Sequence, residues 1–319
     1  MVLPSHTLCI KPIGDACNLQ CLYCFNPHLQ KRIILTAKNL KSALNKLRHR
    51  ELRILISGGE PLLCSKSYMN ELLQCIVDEL GANVQIQIQT NGTLIDEEWL
   101  KLFSSYNSSK NINFSISLDP REGNLRLKES DRWDFLYSNI LLCQEFFPYL
   151  GLISIVHRRN IQHFRYFIGM LKNDGFRYLT LNKVRDISFL RQGEHYGITE
   201  QQYVDFLKKT ALWWIQTEFY KSIQIQPLMS IFSKDANRLC LYSADPKKCL
   251  DMSTLTNESL QQCCELYPNK SNGINSGCTE CVAFDFCGGG CPADTHDSTF
   301  CDARLDLYKF VQRIIDENS

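Results

Sequence analysis

The chain has 319 residues, 44% of them apolar and 22% charged, with a formal net charge of +1. That is enough to build a sizeable core, in one large domain or one large and one small, and the near-neutral balance carries no field for nucleic acid or a membrane surface. The opening MVLPSHTLCIKPIGDACN has no charged stretch followed by a long apolar run, which excludes a signal peptide and a membrane span there.

In chain order, β-prone runs fall at 8–13, 52–57, 84–90, 112–118, 152–157 and 176–184. Helices are predicted between and after them, at 36–49, 65–80, 96–106, 131–147, 161–174 and 199–220. Asp96 before Glu97 and Glu98 marks a helix start, and Thr199 with Gln202 makes a capping-box pattern. Strict alternation argues for a parallel sheet with helices outside it. Six β/α units are two short of a full eight-fold barrel, so a partial barrel and an open doubly wound sheet both fit. The basic stretch 41–53 has apolar residues at helical spacing and is expected to be a solvated helix face. Trp213 and Trp214 are expected to pack the sixth helix. His157, Arg158 and Arg159 end the fifth strand, as substrate contacts or as a cap for the next helix.

Past residue 225 the pattern turns cysteine-dense and rich in turns, closing in a helix expected at 303–317. Such a segment builds little apolar core, so metal must hold it. The boundary is expected near 222–235, dividing 1–225 from 226–319.

There are 16 cysteines. Without a secretory signal, soft-metal ligation is the expectation rather than a disulfide framework. Cys9, Cys64, Cys75 and Cys143 are scattered and expected to be small buried hydrophobes. Cys17, Cys21 and Cys24 form C-x3-C-x2-C in the loop after the first strand, where parallel β/α folds keep their chemistry. Thiolates select zinc or iron–sulfur. On a [4Fe–4S] cube, three ligands leave one iron open to a small molecule.

CNLQCLYC resembles the signature of the radical S-adenosylmethionine (SAM) enzymes, with Tyr23 at its aromatic position. SGGEP at 57–61, QTNGTL at 89–94 and SLD at 117–119 follow the next three strands and resemble the same family. The resemblance covers roughly residues 8–184 and implies a partial (β/α)6 TIM-like barrel. It also implies that Cys17, Cys21 and Cys24 hold a [4Fe–4S] cluster and that Tyr23, Gly58, Gly59, Glu60, Asn91, Ser117 and Arg126 lie around SAM. Glu60 is expected to accept from the SAM ammonium, and Ser117 to bond the ribose hydroxyls. The sequence departs from the family where Pro120 follows SLD, and no clear SAM-binding glycines appear in GLISIVHRRN.

CTECVAFDFCGGGC places Cys278, Cys281, Cys287 and Cys291 at C-x2-C-x5-C-x3-C. One zinc site is the plain reading, but Cys240, Cys249, Cys263, Cys264 and Cys301 make nine thiols, enough for two four-ligand sites. The arrangement is similar to the SPASM domain with its two auxiliary [4Fe–4S] clusters. By that resemblance Cys240, Cys249, Cys264 and Cys291 hold one cluster, and Cys278, Cys281, Cys287 and Cys301 the other. Cys263 adjoins Cys264; the spacing from Cys249 favours Cys264. Glu265 stands where sulfatase-maturing relatives place a general base, and is otherwise a surface glutamate.

The resemblance therefore implies a cytoplasmic radical SAM maturase. It would abstract hydrogen from a peptide or protein side chain, leading to an oxidation, a crosslink or a thioether. Its implied partners are a flavodoxin- or ferredoxin-type electron donor and, since the chain begins almost at its first strand, a separate leader-binding protein. A radical SAM dehydrogenase of a small metabolite is the alternative, and a non-catalytic iron–sulfur or zinc scaffold the alternative of another class.

Overall fold

The structure, a computed structural model, describes residues 6–24, 32–48, 51–107, 110–127, 131–184, 196–232, 252–257, 259–262, 276–278, 280–287 and 298–317. By contacts the chain divides into two compact units. The first comprises 1–153, 185–195 and 251–262, and the second comprises 154–184, 196–250 and 263–319.

The first unit contains β1 (His6–Ile10), α1 (Ala37–Leu47), β2 (Leu52–Ile56), α2 (Lys66–Leu80), β3 (Gln85–Thr90), α3 (Glu97–Ser105), β4 (Ile112–Ser117), α4 (Asp131–Phe146) and the start of β5 (Gly151–Val156). Strands β1 to β5 pair in parallel with their neighbours in sequence. Period-2 alternation explains the two faces of the sheet. Ile54, Ile56, Ile86, Ile88, Ile112, Phe114 and Ile116 are fully buried, and Phe114 packs against Phe103 of α3 and Phe147. The alternate positions Gln87, Gln89, Asn113 and Ser117 are half-buried and polar.

The helices start where their caps dictate. Thr36, Ser65 and Asp96 each accept a backbone N–H from the first turn of α1, α2 and α3.

Two strands in this unit lie in the part of the sequence where no regular structure is predicted. β8 (Met252–Leu255) pairs in parallel with β1, and β9 (Leu260–Gln262) pairs antiparallel with β8. Strands of four and three residues are too short to give a periodic signal. Asn257 just after β8 secures the start of α1: its side chain accepts from Thr36 N–H (3.1 Å) and its carbonyl from the Asn39 amide (2.8 Å).

The second unit holds the end of β5, α5 (Phe164–Asn173), β6 (Tyr178–Lys183), α6 (Glu200–Gln216), β7 (Gln224–Gln226), α7 (Leu228–Phe232), α8 (Phe284–Cys287) and α9 (Ser298–Glu317). β7 pairs in parallel with β6. Thr199 and Gln202 form the expected capping box. α6 stops at Gln216, short of the predicted 220, and a separate 3-10 turn at Phe219–Lys221 follows. Trp214 is buried and donates to the Ile223 carbonyl (2.8 Å), while Trp213 packs edge-on against Phe219. α9 begins five residues before the predicted start and so carries Cys301 in its first turns. It is tied to α6 by a buried ion group, in which Glu200 pairs with Lys183 (2.7 Å) and Arg304 (2.6 Å), and by Asp306 with Lys208 (2.8 Å).

Cys9, Cys64 and Cys143 are buried as expected. Cys75 is not; it is half-exposed on α2 with its thiol near the Ala37 carbonyl. None of the described cysteines is in a disulfide.

Candidate active site

Every described residue of the predicted SAM site falls in the first unit, at the C-terminal ends of β1 to β4. β1 ends at Ile10, three residues short of the predicted strand end, and Gly14 turns the chain with φ 68°. The loop then comes down on the segment after β2. Gly59 N–H donates to the Gly14 carbonyl (3.1 Å) and Glu60 N–H to the Ala16 carbonyl (2.8 Å). A Cβ on Gly58 would lie 2.5 Å from the Gly14 oxygen, and one on Gly59 2.2 Å from the Ala16 oxygen. The two glycines thus serve as the seat of the cysteine loop, a use the sequence alone does not reveal.

Within the loop the Leu19 N–H points at the Cys17 sulfur (3.4 Å), and the Cys24 N–H donates to the Cys21 carbonyl (3.0 Å). The Asn91 amide lies 3.8 Å from the Cys17 sulfur and donates to the Asn18 side chain (2.8 Å). Asn91 in turn is held by Thr93, whose N–H and hydroxyl both donate to its oxygen. Burial pushes the Cys17 thiol up, and pushes Cys21 up to about 11 against the pull of the Arg126 guanidinium. A buried thiol of this kind keeps its proton unless a metal takes the proton's place. Among the described residues no three His, Cys, Asp or Glu side chains converge on one point as a single bound ion requires. Three separated thiols in one loop fit a cluster, where each sulfur takes a different iron.

Glu60 is fully buried. One oxygen accepts from Leu62 N–H (3.0 Å) and the Thr90 hydroxyl (2.7 Å), the other from Asn91 N–H (2.6 Å). Burial raises its pKa, with those three bonds and Arg126 opposing. A carboxylate offers about four acceptor positions, so Glu60 anchors the β2 and β3 ends to one another and keeps one position for a ligand.

Ser117 ends β4, half-buried. Two residues on, Asp119 is fully buried and accepts the Tyr23 hydroxyl at 2.5 Å. Arg126 donates to the same hydroxyl (3.0 Å). Its Nε is buried with no acceptor among the described residues. Burial works against the Arg126 charge, but Tyr23, Cys21 and Asp119 outweigh it and hold its pKa above the usual value. Burial likewise raises Tyr23 well above the ordinary phenol range. Sequence reasoning gave Asp119 no role; its partner lies 96 positions away and no local signal connects them. The three thiols, the acceptor position on Glu60 and the free donor on Arg126 suit a cluster with a zwitterionic cofactor beside it.

The sequence profile of the Radical SAM superfamily matches residues 12–171. The chain belongs to the radical SAM superfamily. Among its relatives, this radical SAM chain is 26% identical over 264 residues to a cysteine-type anaerobic sulfatase-maturating enzyme of Clostridium novyi (strain NT), covering 77% of the chain and 68% of the relative. It spans 61% of the corresponding enzyme of Clostridium perfringens (strain 13 / Type A), also at 26% identity over 232 residues and 67% of the chain. In fold it is similar to anSMEcpe with bound AdoMet, with a TM-score of 0.79 at 19% identity over 98% of both chains. It is similar too to Streptococcus suis SuiB bound to precursor peptide SuiA, with a TM-score of 0.67 at 16% identity over 92% of this chain and 76% of that one.

In the second unit the cysteines expected to hold auxiliary clusters are described in part. Cys281 N–H donates to the Cys278 carbonyl (3.2 Å). Cys287 ends α8, which packs on α9 through Phe286 and Tyr308 (5.7 Å between rings). Cys278 and Cys287 are half-buried, while Cys281 and Cys301 are exposed. Cys240, Cys249, Cys263, Cys264, Glu265 and Cys291 lie outside the described residues. His157 is fully buried; its carbonyl accepts from Asn160 and Ile161 N–H, and its ring from Arg159 N–H (3.3 Å). That arrangement organises the turn before α5.

Proposed function

We propose that this chain is a radical SAM maturase that modifies a peptide or protein side chain. The observation that carries the reading is the seating of the loop that bears three half-buried cysteines, at positions 17, 21 and 24, on the glycine pair that precedes Glu60. Bound there, a [4Fe–4S] cluster would supply the electron that splits SAM into methionine and a 5′-deoxyadenosyl radical. The chain's own part is to bind and to exclude water. Cys17, Cys21 and Cys24 would ligate the cluster. Glu60 would accept the SAM ammonium through its remaining lone pair, while Tyr23, Gly58, Gly59, Asn91, Ser117 and Arg126 would shape the surrounding pocket.

Two kinds of observation favour a peptide over a small metabolite. The sulfatase-maturating relatives and SuiB, which is solved with its precursor peptide, support a polypeptide substrate. The polar face of the first unit's sheet adds to this. Gln89, Asn113 and Ser117 are half-buried with no side-chain partner among the described residues. Arg53 on that face is engaged by Gln87, and Lys11 by Asp15 (2.8 Å). A wall of neutral amides and hydroxyls suits peptide groups better than an anion.

The proposal extends to two auxiliary [4Fe–4S] clusters, on Cys240, Cys249, Cys264 and Cys291 and on Cys278, Cys281, Cys287 and Cys301. It extends also to Glu265 as general base, to a functional division near residue 225, and to a cytoplasmic enzyme served by a flavodoxin- or ferredoxin-type donor and a separate leader-binding protein. Among the described residues no helix is long and apolar enough to cross a membrane.

Anaerobic reconstitution tests the reading. About twelve irons per chain are expected, with 5′-deoxyadenosine released from SAM under reduction. A Cys21→Ala variant should lose all cleavage yet keep the auxiliary iron. Mass spectrometry of cysteine- and serine-containing peptides should show a shift that free alcohols and sugars do not. Wild-type protein that binds zinc in place of iron, or that cleaves no SAM, would overturn the proposal.

A further inference from the structure

We propose that Asp119 is a positioning residue for the cysteine site: through the Tyr23 phenol it holds Arg126 beside the cysteine loop and balances the arginine's charge there. The inference rests on the reading that the three thiols carry a cluster, and goes beyond it by assigning a residue that touches neither thiol nor cofactor.

A fully buried carboxylate persists only where its charge is compensated. Asp119 receives the Tyr23 hydroxyl at 2.5 Å, and that same oxygen accepts from Arg126 at 3.0 Å. The phenol thus stands between an anion and a cation, donating to one and accepting from the other. Both ends of the chain are fixed. The Asp119 carbonyl accepts from the Trp133 indole (2.9 Å), and the Leu22 N–H of the cysteine loop donates to the Leu125 carbonyl beside Arg126 (2.9 Å). Arg126 spends one nitrogen on Tyr23 and leaves Nε buried without an acceptor among the described residues. Such a donor is open to an acceptor from outside the described residues. Cys21 feels both charges, the Arg126 cation and, more weakly, the Asp119 anion.

The electrostatic consequence has a definite sign. Reducing a cluster adds negative charge, so a nearby cation raises its potential and a nearby anion lowers it. Asp119→Asn removes the anion and should raise the potential. Arg126→Gln removes the cation and should lower it. The double variant should return towards wild type. Tyr23→Phe changes no charge, but it frees Arg126 from its tether; it should lower the potential in the direction of Arg126→Gln, by less, and weaken SAM binding.

The test is a redox titration of anaerobic holoenzyme, followed on the paramagnetic signal that changes when SAM is added, together with equilibrium dialysis of SAM without reductant. The expected result is opposite shifts for Asp119→Asn and Arg126→Gln. Each should be on the order of tenfold in the one-electron equilibrium, about 59 mV, alongside a roughly tenfold loss of SAM affinity in Tyr23→Phe. Shifts of the same sign, no shifts, or unchanged affinity in Tyr23→Phe would overturn it. Should Asp119→Asn fail to take up iron, Asp119→Glu must restore both iron and potential; if it does not, Asp119 is structural only. A wild-type protein with no SAM-responsive signal removes the cluster reading and this inference with it. A wild-type signal that the variants leave unmoved removes the inference alone.

Discussion

Gly59 lies so close to Ala16 that any side chain on it would run into the Ala16 carbonyl, 2.2 Å from the position of a Cβ. Backbone meets backbone there, and neither side has a flexible atom to yield. Gly59→Ala is therefore expected to lift the cysteine loop off its seat. The variant should lose iron relative to wild type and lose SAM cleavage, with helix content by circular dichroism retained. Gly81 is the control. It has φ 87° and ψ 161° but nothing within 4 Å of the place a Cβ would take, so Gly81→Ala should cost about 1–3 kcal/mol of backbone strain and leave the iron content unchanged.

His157 gives the pH dependence. Burial, with a smaller contribution from Arg159, lowers its pKa from 6.5 to about 4. The folded ring therefore stays neutral while the unfolded one takes up a proton between those values. Stability is fully present above about pH 6.5 and is lost as pH falls towards 4, by on the order of 3 kcal/mol. A His157→Leu variant should show a flatter fall in melting temperature between pH 6.5 and 4.5 than wild type. Equal slopes for the two proteins would show that His157 is not the group responsible.

The six strands and the order of the four motifs were legible because the strands are apolar, β-prone runs separated by helical stretches and each motif sits in the turn after its strand. What the sequence hid is of two physical kinds. One is contact between distant backbones: GGEP reads as a ligand loop, yet Gly58 and Gly59 are occupied by residues 14–16 of the cysteine loop. The other is charge compensation at long range, since nothing near Asp119 announces that its partner is Tyr23. β8 escaped because four residues show no period, and its pairing with β1 joins positions some 245 apart in the chain. Cys75 broke the buried-cysteine rule because it lies on the half-exposed side of α2.

The ion group that joins α9 to α6 should be costly to break. Glu200 and Arg304 are each about 7% exposed at the side chain, and Lys183 shares the same carboxylate. Glu200→Gln leaves two cations facing a neutral amide in a buried place, a change on the order of 3 kcal/mol. Urea unfolding should show it as a lower midpoint. The exposed pair of Lys101 and Glu97 on α3, with side chains more than 60% accessible, should show no measurable change when Glu97→Gln is made.

Glu60 separates anchoring from cofactor binding. Its carboxylate takes three donors, from Leu62, Thr90 and Asn91, all belonging to the fold. In Glu60→Gln the single amide oxygen can satisfy the donors on one side only, and the new NH2 faces a donor on the other. One buried donor is left unmet, at a cost of about 1–3 kcal/mol. The expected outcome is a lower melting temperature even in iron-free protein without SAM, accompanied by weaker SAM binding in the reconstituted enzyme. An iron-free Glu60→Gln protein as stable as wild type would mean that the three bonds contribute little, and that Glu60 is kept for the cofactor alone.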